Sequence, residues 1–513
     1  MYSKRFGLFN LGIVASVLRA SFGYPQNRSI SWTDCPEDIG VPAACANFTV
    51  PLDYTDIDSG KTLNLSLLKA KATKEPFKGS ILINPGGPGI AAVPFLESLA
   101  AVLLVMTGGH FDVIAFDPRG TGNTLPIDCY PTSPIERLYQ QLASPPTTNA
   151  SDVALGTTWS IQKTYTQSCY ETNKDVGKLV GSGFVARDVM QIVDALGEDG
   201  MLRYWGQSYG TFLGETVAAL FPDRIDKMVI DGVINPHEYV DAWEYDPIPV
   251  GDLVLDQFLN SCVIAGKDAC ALAGEGATVQ SLTAKIHDLI ETTKFEPIVL
   301  GSNITTDVIR SSDITATMGS ALRVAIAYAP SLAGYLNAIF ERNATAYYEN
   351  RAVLVPELEA ALGGTGPDGL QAIRCSDAIF RTDDLGTIKL RAESLLNLSS
   401  VFGDTYTSSY ITCSLWKMHA KGRYKGDYKV KTKNPVLLIG SPFDLRTPLV
   451  SAHNVSTGFE RSVVLQHNGL GHCVLYSPGQ CAIKAVQDYF TNGTLPEPGT
   501  ICEQDFDVFS GKV

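Results

Sequence analysis

Short apolar runs alternate with longer amphipathic segments through the first 236 residues of the chain. Four of these runs have the length and composition of buried strands: 80–84, 111–116, 201–205 and 226–230. Helical spacing lies between them, most clearly at 91–106 and 182–196. Strands that alternate with helices predict an α/β fold, a mostly parallel sheet with helices on both faces.

The alternation stops after residue 236. Helical spacing dominates 237–430, for example at Val279, Leu282 and Ile286, and strand runs are few there. Strand-like runs return at 435–440 and 462–467, and a last helix is expected over 482–490. We therefore predict a sheet domain that is split in sequence by a large helical cap. The predicted boundaries are 24–236 for the first part of the core, 237–430 for the cap and 431–513 for the C-terminal part of the core.

Composition and charge narrow the classes of function. The chain has 513 residues, of which 45% are hydrophobic and 18% charged, enough for a large core. Its formal net charge of −14 argues against a nucleic-acid partner, because an acidic surface repels phosphate. No apolar stretch after the N-terminus is expected to span a membrane. The oligomeric state is left open.

Residues 1–23 have the pattern of a secretory signal peptide. Lys4 and Arg5 precede an apolar run at 6–18 that is short for a bilayer, and Ala20 or Gly23 offers a small residue for cleavage. The alternative is a short signal anchor, which Arg19 inside the segment leaves open.

Two further features favour the secretory pathway. Glycosylation sequences, Asn-x-Ser/Thr, occur at Asn27, Asn47, Asn64, Asn149, Asn303, Asn343, Asn397, Asn454 and Asn492. The 11 cysteines fall mostly in local pairs, which favours disulfides and an oxidising compartment. The favoured pairs are Cys35/Cys45, Cys129/Cys169, Cys262/Cys270, Cys375/Cys413 and Cys481/Cys502. Cys473 is left as the odd thiol. No spacing of zinc ligands occurs, and no metal or organic cofactor is implied.

The strongest chemical motif is the Gly-x-Ser-x-Gly pattern at 206–210, between a predicted strand and a predicted helix. This context is typical of a nucleophile elbow, a turn that lifts a serine hydroxyl above the edge of the sheet. Its glycines permit close backbone packing, and the following helix directs its N-terminal amides to the same place. We interpret Ser208 as a nucleophile. The alternative is a tight turn that carries an ordinary exposed serine.

A serine nucleophile needs a base and an acid that orients it. His472 lies in a loop past the last predicted strand, where α/β sheets bind ligands, whereas His453 and His467 fall in a helix and on the strand itself. Asp444 follows the strand before it and is the preferred acid. Asp231, at the end of an earlier strand, is the alternative acid. A loop histidine and a capping aspartate with structural roles remain the other interpretations.

A glycine-rich loop at 85–89 supplies the third element. Glycine leaves a backbone N–H open to an oxyanion, so we assign the amides of Gly87 and Tyr209 to an oxyanion hole. A plain tight loop is the alternative, and a phosphate loop is not supported because no Gly-Lys-Ser/Thr follows. Arg119 is interpreted as structural, pairing with a carboxylate near a strand end.

Taken together, these motifs resemble the α/β-hydrolase superfamily, and more narrowly the secreted tripeptidyl-aminopeptidase-like branch of the proline iminopeptidase family. The resemblance covers most of 32–502. It rests on 84–89, 117–122, 206–210, 231–233, Asp444 with Thr447 and Pro448, 471–472, 375–377, 413–416, Cys481, Tyr489, 493–496 and Cys502. It implies a helical cap over an α/β-hydrolase core, and Ser208, Asp444 and His472 as the triad of a serine exopeptidase. This sequence departs from the family at 90–92, where relatives often have further small residues, and at Cys473, where many carry glycine.

The leading expectation is a secreted serine hydrolase that removes short N-terminal units from peptides through an acyl-enzyme. One alternative is a secreted esterase or lactonase, and another is a silent binding protein on a hydrolase scaffold. An aminopeptidase must also hold a free ammonium. Carboxylates in the cap could do so, but none is assigned this role: Glu238, Asp241, Glu244 and Asp377.

Overall fold

The computed structural model describes residues 29–143, 147–301, 306–363 and 368–509. The predicted signal peptide and the glycosylation sequences at Asn27 and Asn303 lie outside these ranges. Six of the other predicted glycosylation sites are exposed, and Asn149 is half-buried. Their glycosylation stays a prediction. The exposed six are Asn47, Asn64, Asn343, Asn397, Asn454 and Asn492.

The strands that the structure describes are β1 (Ala43–Pro51), β2 (Thr62–Ala70), β3 (Ser80–Asn84), β4 (Asp112–Phe116), β5 (Leu202–Gln207), β6 (Ile225–Asp231), β7 (Ile298–Gly301), β8 (Thr306–Ile309), β9 (Leu437–Gly440), β10 (Val463–Asn468) and β11 (Ile501–Glu503). Within the described residues, nine of them form one sheet in the order β1-β2-β4-β3-β5-β6-β9-β10-β11. The pairings of β1 with β2 and of β2 with β4 are antiparallel, and the others are parallel. The predicted mostly parallel sheet is therefore confirmed.

The helices are α1 (Ala92–Met106), α2 (Pro134–Ala143), α3 (Ala154–Asn173), α4 (Ser182–Leu196), α5 (Tyr209–Leu220), α6 (Pro236–Asp241), α7 (Pro247–Ala265), α8 (Val279–Phe295), α9 (Ser311–Arg323), α10 (Ala325–Phe340), α11 (Ala344–Gly363), α12 (Gly369–Asp377), α13 (Leu385–Leu396), α14 (Thr407–Leu415), α15 (Leu449–Gly458), α16 (Cys473–Tyr476) and α17 (Gln480–Asn492). The predicted helix at 182–196 matches α4, which ends where Gly197 takes a left-handed conformation with φ of 69°.

Helices cover both faces of the sheet because alternate strand residues point to opposite sides. Tyr204 of β5 belongs to an apolar cluster with residues of α4, α5 and α15. Its neighbour Trp205 belongs to a second cluster, with residues of α1 and α17 on the other face. This burial on both faces explains why the central strands appear in the sequence as continuous apolar runs.

The helical region between β6 and β9, here called the cap, has its own apolar core. Phe258 of α7, Leu322 of α9 and Leu336 of α10 are all buried in it. The cap also includes the short antiparallel hairpin of β7 and β8. Helix α7 is long and apolar enough to cross a membrane by length and composition, but its Phe258 and Leu259 are buried in the cap core.

The segment that contains α3 also packs on the cap, although it lies within the predicted core range 24–236. Trp159 of α3 is buried in one cluster with Trp243 and Tyr410 of the cap. Cys129, which precedes α2, and Cys169 of α3 lie in another cluster with Cys375 and Trp416 of the cap. The cap layer is therefore built from two separate parts of the chain.

The cysteine pairs are as predicted. Within the described residues, disulfides join Cys35 to Cys45, Cys129 to Cys169, Cys262 to Cys270, Cys375 to Cys413 and Cys481 to Cys502. Cys473 is a free and buried thiol.

Arg119, which follows β4, forms a fully buried ion pair with Asp188 of α4. Its Nε and Nη2 lie 2.7 and 2.9 Å from the two Asp188 oxygens, and both side chains are 0% exposed. The guanidinium also donates to the carbonyl oxygens of Pro51 and Leu52, and the Tyr54 hydroxyl donates to Asp188. This pair ties the loop after β4 to β1 and α4, the structural role that the sequence suggested.

Replacing Asp188 with Ala should destabilise the protein by about 3–5 kcal/mol, because the Arg119 charge would stay buried without its partner. Urea unfolding followed by circular dichroism measures the change. As a control, Glu460→Ala removes the partner of Lys431 in an ion pair whose side chains are 70% and 52% exposed, and should cost less than about 1 kcal/mol. Equal losses in the two variants would contradict the role given to Arg119.

Candidate active site

Ser208 occupies a sharp turn between β5 and α5. Its φ of 54° and ψ of −124° are strained for a residue with a side chain, a feature that clusters at functional sites. A Cβ on Gly206 would lie 2.2 Å from the carbonyl oxygen of Gly210, and one on Gly210 would lie 2.3 Å from that of Asn84. Ser208 is half-buried, whereas the residues on either side of it in the turn are buried. The turn therefore exposes the serine and little else.

The glycine-rich loop after β3 packs directly on this turn. A Cβ on Gly86 would lie 2.8 Å from both Ser208 Cβ and the Tyr209 nitrogen, so only glycine fits there. Gly87 follows with φ of 101°. Within the described part of the chain, the amides of Gly87 and Tyr209 donate no hydrogen bond, so both can receive an oxyanion.

His472 and Asp444 form a buried pair on the loops that follow β10 and β9. His472 Nδ1 lies 2.8 Å from Asp444 Oδ2, and the two residues are 5% and 1% exposed. Asp444 also accepts hydrogen bonds from the amides of Arg446 and Thr447 and from the Thr447 hydroxyl. The contact requires Nδ1 to carry the proton, which leaves the Nε2 lone pair for general-base chemistry.

Asp444 is ionised in this setting. Burial raises the pKa of its carboxyl, but the facing His472 and the hydrogen bonds from Thr447 outweigh burial, and the pKa lies below its ordinary value. A buried carboxylate that is held ionised against an imidazole stabilises the imidazolium that forms when Nε2 takes a proton.

Asp231, the alternative acid, contacts the backbone near His472 and not its ring. Its carboxylate accepts the Val474 amide at 3.1 Å, and burial raises its pKa to about 8. The carbonyl oxygen of Asp231 accepts the Ser208 amide at 3.1 Å and the Cys473 thiol at 3.4 Å. Asp231 therefore links the turn that carries Ser208 to the loop that carries His472.

These shared contacts bring the backbones of the two loops together. Among the described residues, Ser208 Oγ and the His472 ring form no hydrogen bond. Catalytic contacts of this kind are often long without substrate and tighten when it binds.

The cap touches the turn through Tyr209. Its hydroxyl lies 2.6 Å from Ser182 Oγ, which donates to Asp377 of α12 at 2.5 Å. Burial raises the pKa of Asp377 to about 7. The sequence marks Asp377 as one of several acidic cap residues and as part of the stretch 375–377 that carries the resemblance. Nothing in it points to Ser182, because the two residues meet only in the folded chain.

The other cap carboxylates that could hold an ammonium have partners of their own. Glu244 pairs with Arg374 and Arg446 at 2.9 and 3.0 Å. Burial raises its pKa and the two guanidiniums lower it further, to below the ordinary value. Asp241 pairs with Arg391 at 2.6 Å, and Glu238 accepts the amides of Tyr245 and Asp246. Each of these three carboxylates is therefore engaged by contacts within the protein.

The described residues contain no group of three or more His, Cys, Asp or Glu side chains that could hold a metal ion.

Two family matches agree with this architecture. Residues 79–263 match the family described as alpha/beta hydrolase fold, which includes the glycine loop, the Ser208 turn and β6. Residues 399–502 match the family described as TAP-like protein, which includes Asp444 and His472. The region between the two matches is most of the cap.

Three bacterial relatives are informative. The tripeptidyl aminopeptidase of Streptomyces coelicolor is 33% identical over 213 residues, which are 40% of this chain and 38% of that protein. The serine protease Hip1 of Mycobacterium tuberculosis is 26% identical over 94% of this chain and 93% of its own. Carboxylesterase B of Mycobacterium tuberculosis is 26% identical over 92% and 89% of the two chains.

The sheet order, the serine turn and the two family matches lead to one assignment. The chain has the α/β-hydrolase fold, with a match to the alpha/beta hydrolase family at 79–263 and a match to the TAP-like family at 399–502.

Proposed function

We propose that this protein is a secreted serine hydrolase that releases short N-terminal units from peptides through an acyl-enzyme. The observation that carries the proposal is the buried His472–Asp444 pair on a loop that Asp231 links to the turn of the strained, partly exposed Ser208. Hydrolase chemistry follows from the fold and the family matches, and the peptide bond as substrate is the proposed part.

In this proposal Ser208 Oγ attacks the carbonyl carbon while His472 Nε2 takes its proton. The amides of Gly87 and Tyr209 receive the oxyanion, and the Asp444 carboxylate stabilises the imidazolium. His472 then gives the proton to the leaving amine, and the acyl-enzyme forms. Water, activated by the same imidazole, releases the acyl group and restores Ser208.

Peptide cleavage is favoured by the names of two relatives, a tripeptidyl aminopeptidase and a serine protease. A substantial cap over the catalytic loops also suits an enzyme that admits chain ends. An esterase is the second candidate, favoured by the relative named carboxylesterase B. The two candidates use the same catalytic groups and differ in the bond that is cleaved.

An extracellular location is supported by the disulfides, which persist in oxidising compartments. The predicted signal peptide and the exposed glycosylation sequences support the same proposal.

Ser208→Ala should lower kcat by at least about 10⁴-fold on any substrate that the wild type cleaves, because the nucleophile is lost. It should also abolish labelling by a fluorophosphonate probe, while the melting temperature changes little. Ser98→Ala, which alters an exposed serine on α1, is the control and should keep both activities. Normal turnover by the Ser208 variant would end the proposal.

Matched ester and amide substrates with free or acetylated N-termini should separate the two candidate functions. An exopeptidase acting on N-termini should hydrolyse the amide and lose roughly 100-fold or more in kcat/KM when the amine is blocked, because a charged contact is removed. Hydrolysis of the esters alone, with no effect of acetylation, would favour the esterase.

Stability should depend on pH through Asp231. Its folded-state pKa of about 8 lies above the value near 4 of an unfolded carboxyl, so the folded state keeps a proton that the unfolded state releases. The free energy of unfolding should therefore fall as the pH rises from about 4 to 8, by up to about 1.4 kcal/mol per pH unit.

Asp231→Asn removes this titration and keeps an oxygen that can accept the Val474 amide. The variant should gain stability relative to the wild type as the pH rises from about 5 to 8 in urea unfolding measurements. Parallel pH profiles for the two proteins would contradict the assigned protonation state.

A further inference from the structure

Arg323 is the last residue of α9 in the cap, and it lies against the loop of the proposed catalytic base. Its carbonyl oxygen accepts the backbone amide of His472 at 2.8 Å. A Cβ on Gly471 would lie 3.1 Å from the same oxygen. The C-terminal end of α9 is therefore in direct contact with the residue on which the proposed chemistry depends.

Apolar packing fixes this end of the helix in place. Leu322 belongs to the buried cluster of the cap, which also contains Leu445 and Leu470. Leu445 follows Asp444, and Leu470 lies two residues before His472. The cluster thus joins α9 to both catalytic loops, and Arg323 directly follows its buried member Leu322.

The Arg323 side chain has no ionic partner in the described part of the chain. Four arginines have a buried side-chain nitrogen without a hydrogen-bond partner: Arg203, Arg323, Arg374 and Arg446. Three of them are compensated by a nearby carboxylate, at distances of 2.9, 2.9 and 3.0 Å for Arg203, Arg374 and Arg446. No carboxylate among the described residues lies within 4.0 Å of Arg323.

The charge of Arg323 reaches the catalytic loop. Burial raises the pKa of the Cys473 thiol well above its ordinary value, and the Arg323 guanidinium is one of the groups that pull it down. The carboxyl groups nearby are already committed, because Asp444 holds His472 and Asp231 holds a proton below pH 8. The Nε of the half-buried Arg323 is buried without a hydrogen-bond partner, which costs free energy that a bound anion would recover.

We propose that Arg323 binds a carboxylate of the substrate, on the leaving-group side of the scissile bond. This inference rests on the proposed function, since it assigns the side of the bond from the role of His472. The imidazole gives its proton to the leaving group, so the leaving group lies beside His472, the residue whose amide donates to the Arg323 carbonyl. A guanidinium fits a carboxylate with two parallel hydrogen bonds. The substrates are then short peptides whose released C-terminal part carries its free carboxylate close to the cleaved bond.

The test compares two substrates that share one acyl group, an amide of 4-aminobenzoate and the same amide of 4-aminobenzamide. The wild type should prefer the carboxylate by about 10- to 100-fold in kcat/KM, as expected for a hydrogen-bonded charge pair. Arg323→Gln should reduce the ratio to about one, Arg323→Glu should invert it, and Arg323→Lys should keep part of it. Because each ratio is measured within one variant, a general loss of activity does not affect it.

Arg310→Gln is the matched control, since Arg310 is exposed at the opposite end of α9 and the variant removes the same charge. It should keep the wild-type ratio. A preference that survives Arg323→Gln, or a wild type without preference, would overturn the inference.

Esters of 4-hydroxybenzoate and 4-hydroxybenzamide separate this inference from the proposed function. If only the esters are hydrolysed, the peptidase proposal fails, but the ratio of kcat/KM between the two esters still tests the role of Arg323. Protection supplies a readout without turnover: 4-aminobenzoate, and not 4-aminobenzamide, should slow fluorophosphonate labelling of Ser208 in the wild type. Equal protection by the two compounds, or protection by 4-aminobenzoate that persists in Arg323→Gln, would contradict the assigned subsite. If Arg323→Gln does not fold, the kcat/KM ratio of Arg323→Lys and the protection of the wild type by 4-aminobenzoate test the inference instead.

Discussion

Close backbone packing around Ser208 is the constraint on which the rest of the site depends. Three segments meet there, the end of β3 with its glycine loop, the end of β5 and the start of α5. Glycines at 86, 206 and 210 each occupy a place where a Cβ would lie within 2.8 Å of a neighbouring atom. The strained backbone conformation of Ser208 persists because these close contacts hold it in place. This packing places the Ser208 hydroxyl and the open amides of Gly87 and Tyr209 together before substrate binds.

Parallel topology brings the remaining groups to the same point. The loops after β6, β9 and β10 all leave the sheet at its carboxyl edge, so Asp231, Asp444 and His472 meet although they are far apart in sequence. Asp231 binds the nucleophile turn with its carbonyl and the His472 loop with its carboxyl. The two acids that the sequence offered thus have different tasks, one facing the imidazole and one joining the backbones.

The cap does more than cover the site. Asp377 is connected to Tyr209 by hydrogen bonds through the Ser182 hydroxyl, and the Arg323 carbonyl accepts the His472 amide. Both contacts end on residues that the proposed mechanism uses, Tyr209 and His472. A change in the position of the cap would therefore alter the site directly.

Much of the fold could be predicted because its central strands are apolar on both faces. The sequence run 80–84 coincides with β3, and the helix predicted at 182–196 coincides with α4. Strand β1 was not predicted because its Ala, Cys, Asn and Thr residues lack a continuous apolar run, and β11 has only three residues.

The residues of the candidate site could also be predicted only in part. Ser208, His472 and the glycine loop stand in local patterns, so the sequence could point to them. Between Asp444 and Asp231 the sequence left a choice, and only the contact with His472 Nδ1 distinguishes them. Ser182 and Arg323 gain their importance from contacts between distant segments, and no local pattern marks them.

A crystal structure of the protein after reaction with a fluorophosphonate tests the central claim most directly. The account predicts phosphorus bonded to Ser208 Oγ, one phosphoryl oxygen within hydrogen-bond distance of the Gly87 and Tyr209 amides, and His472 Nε2 facing the adduct. An adduct on another residue, or a phosphoryl oxygen that neither amide contacts, would contradict it.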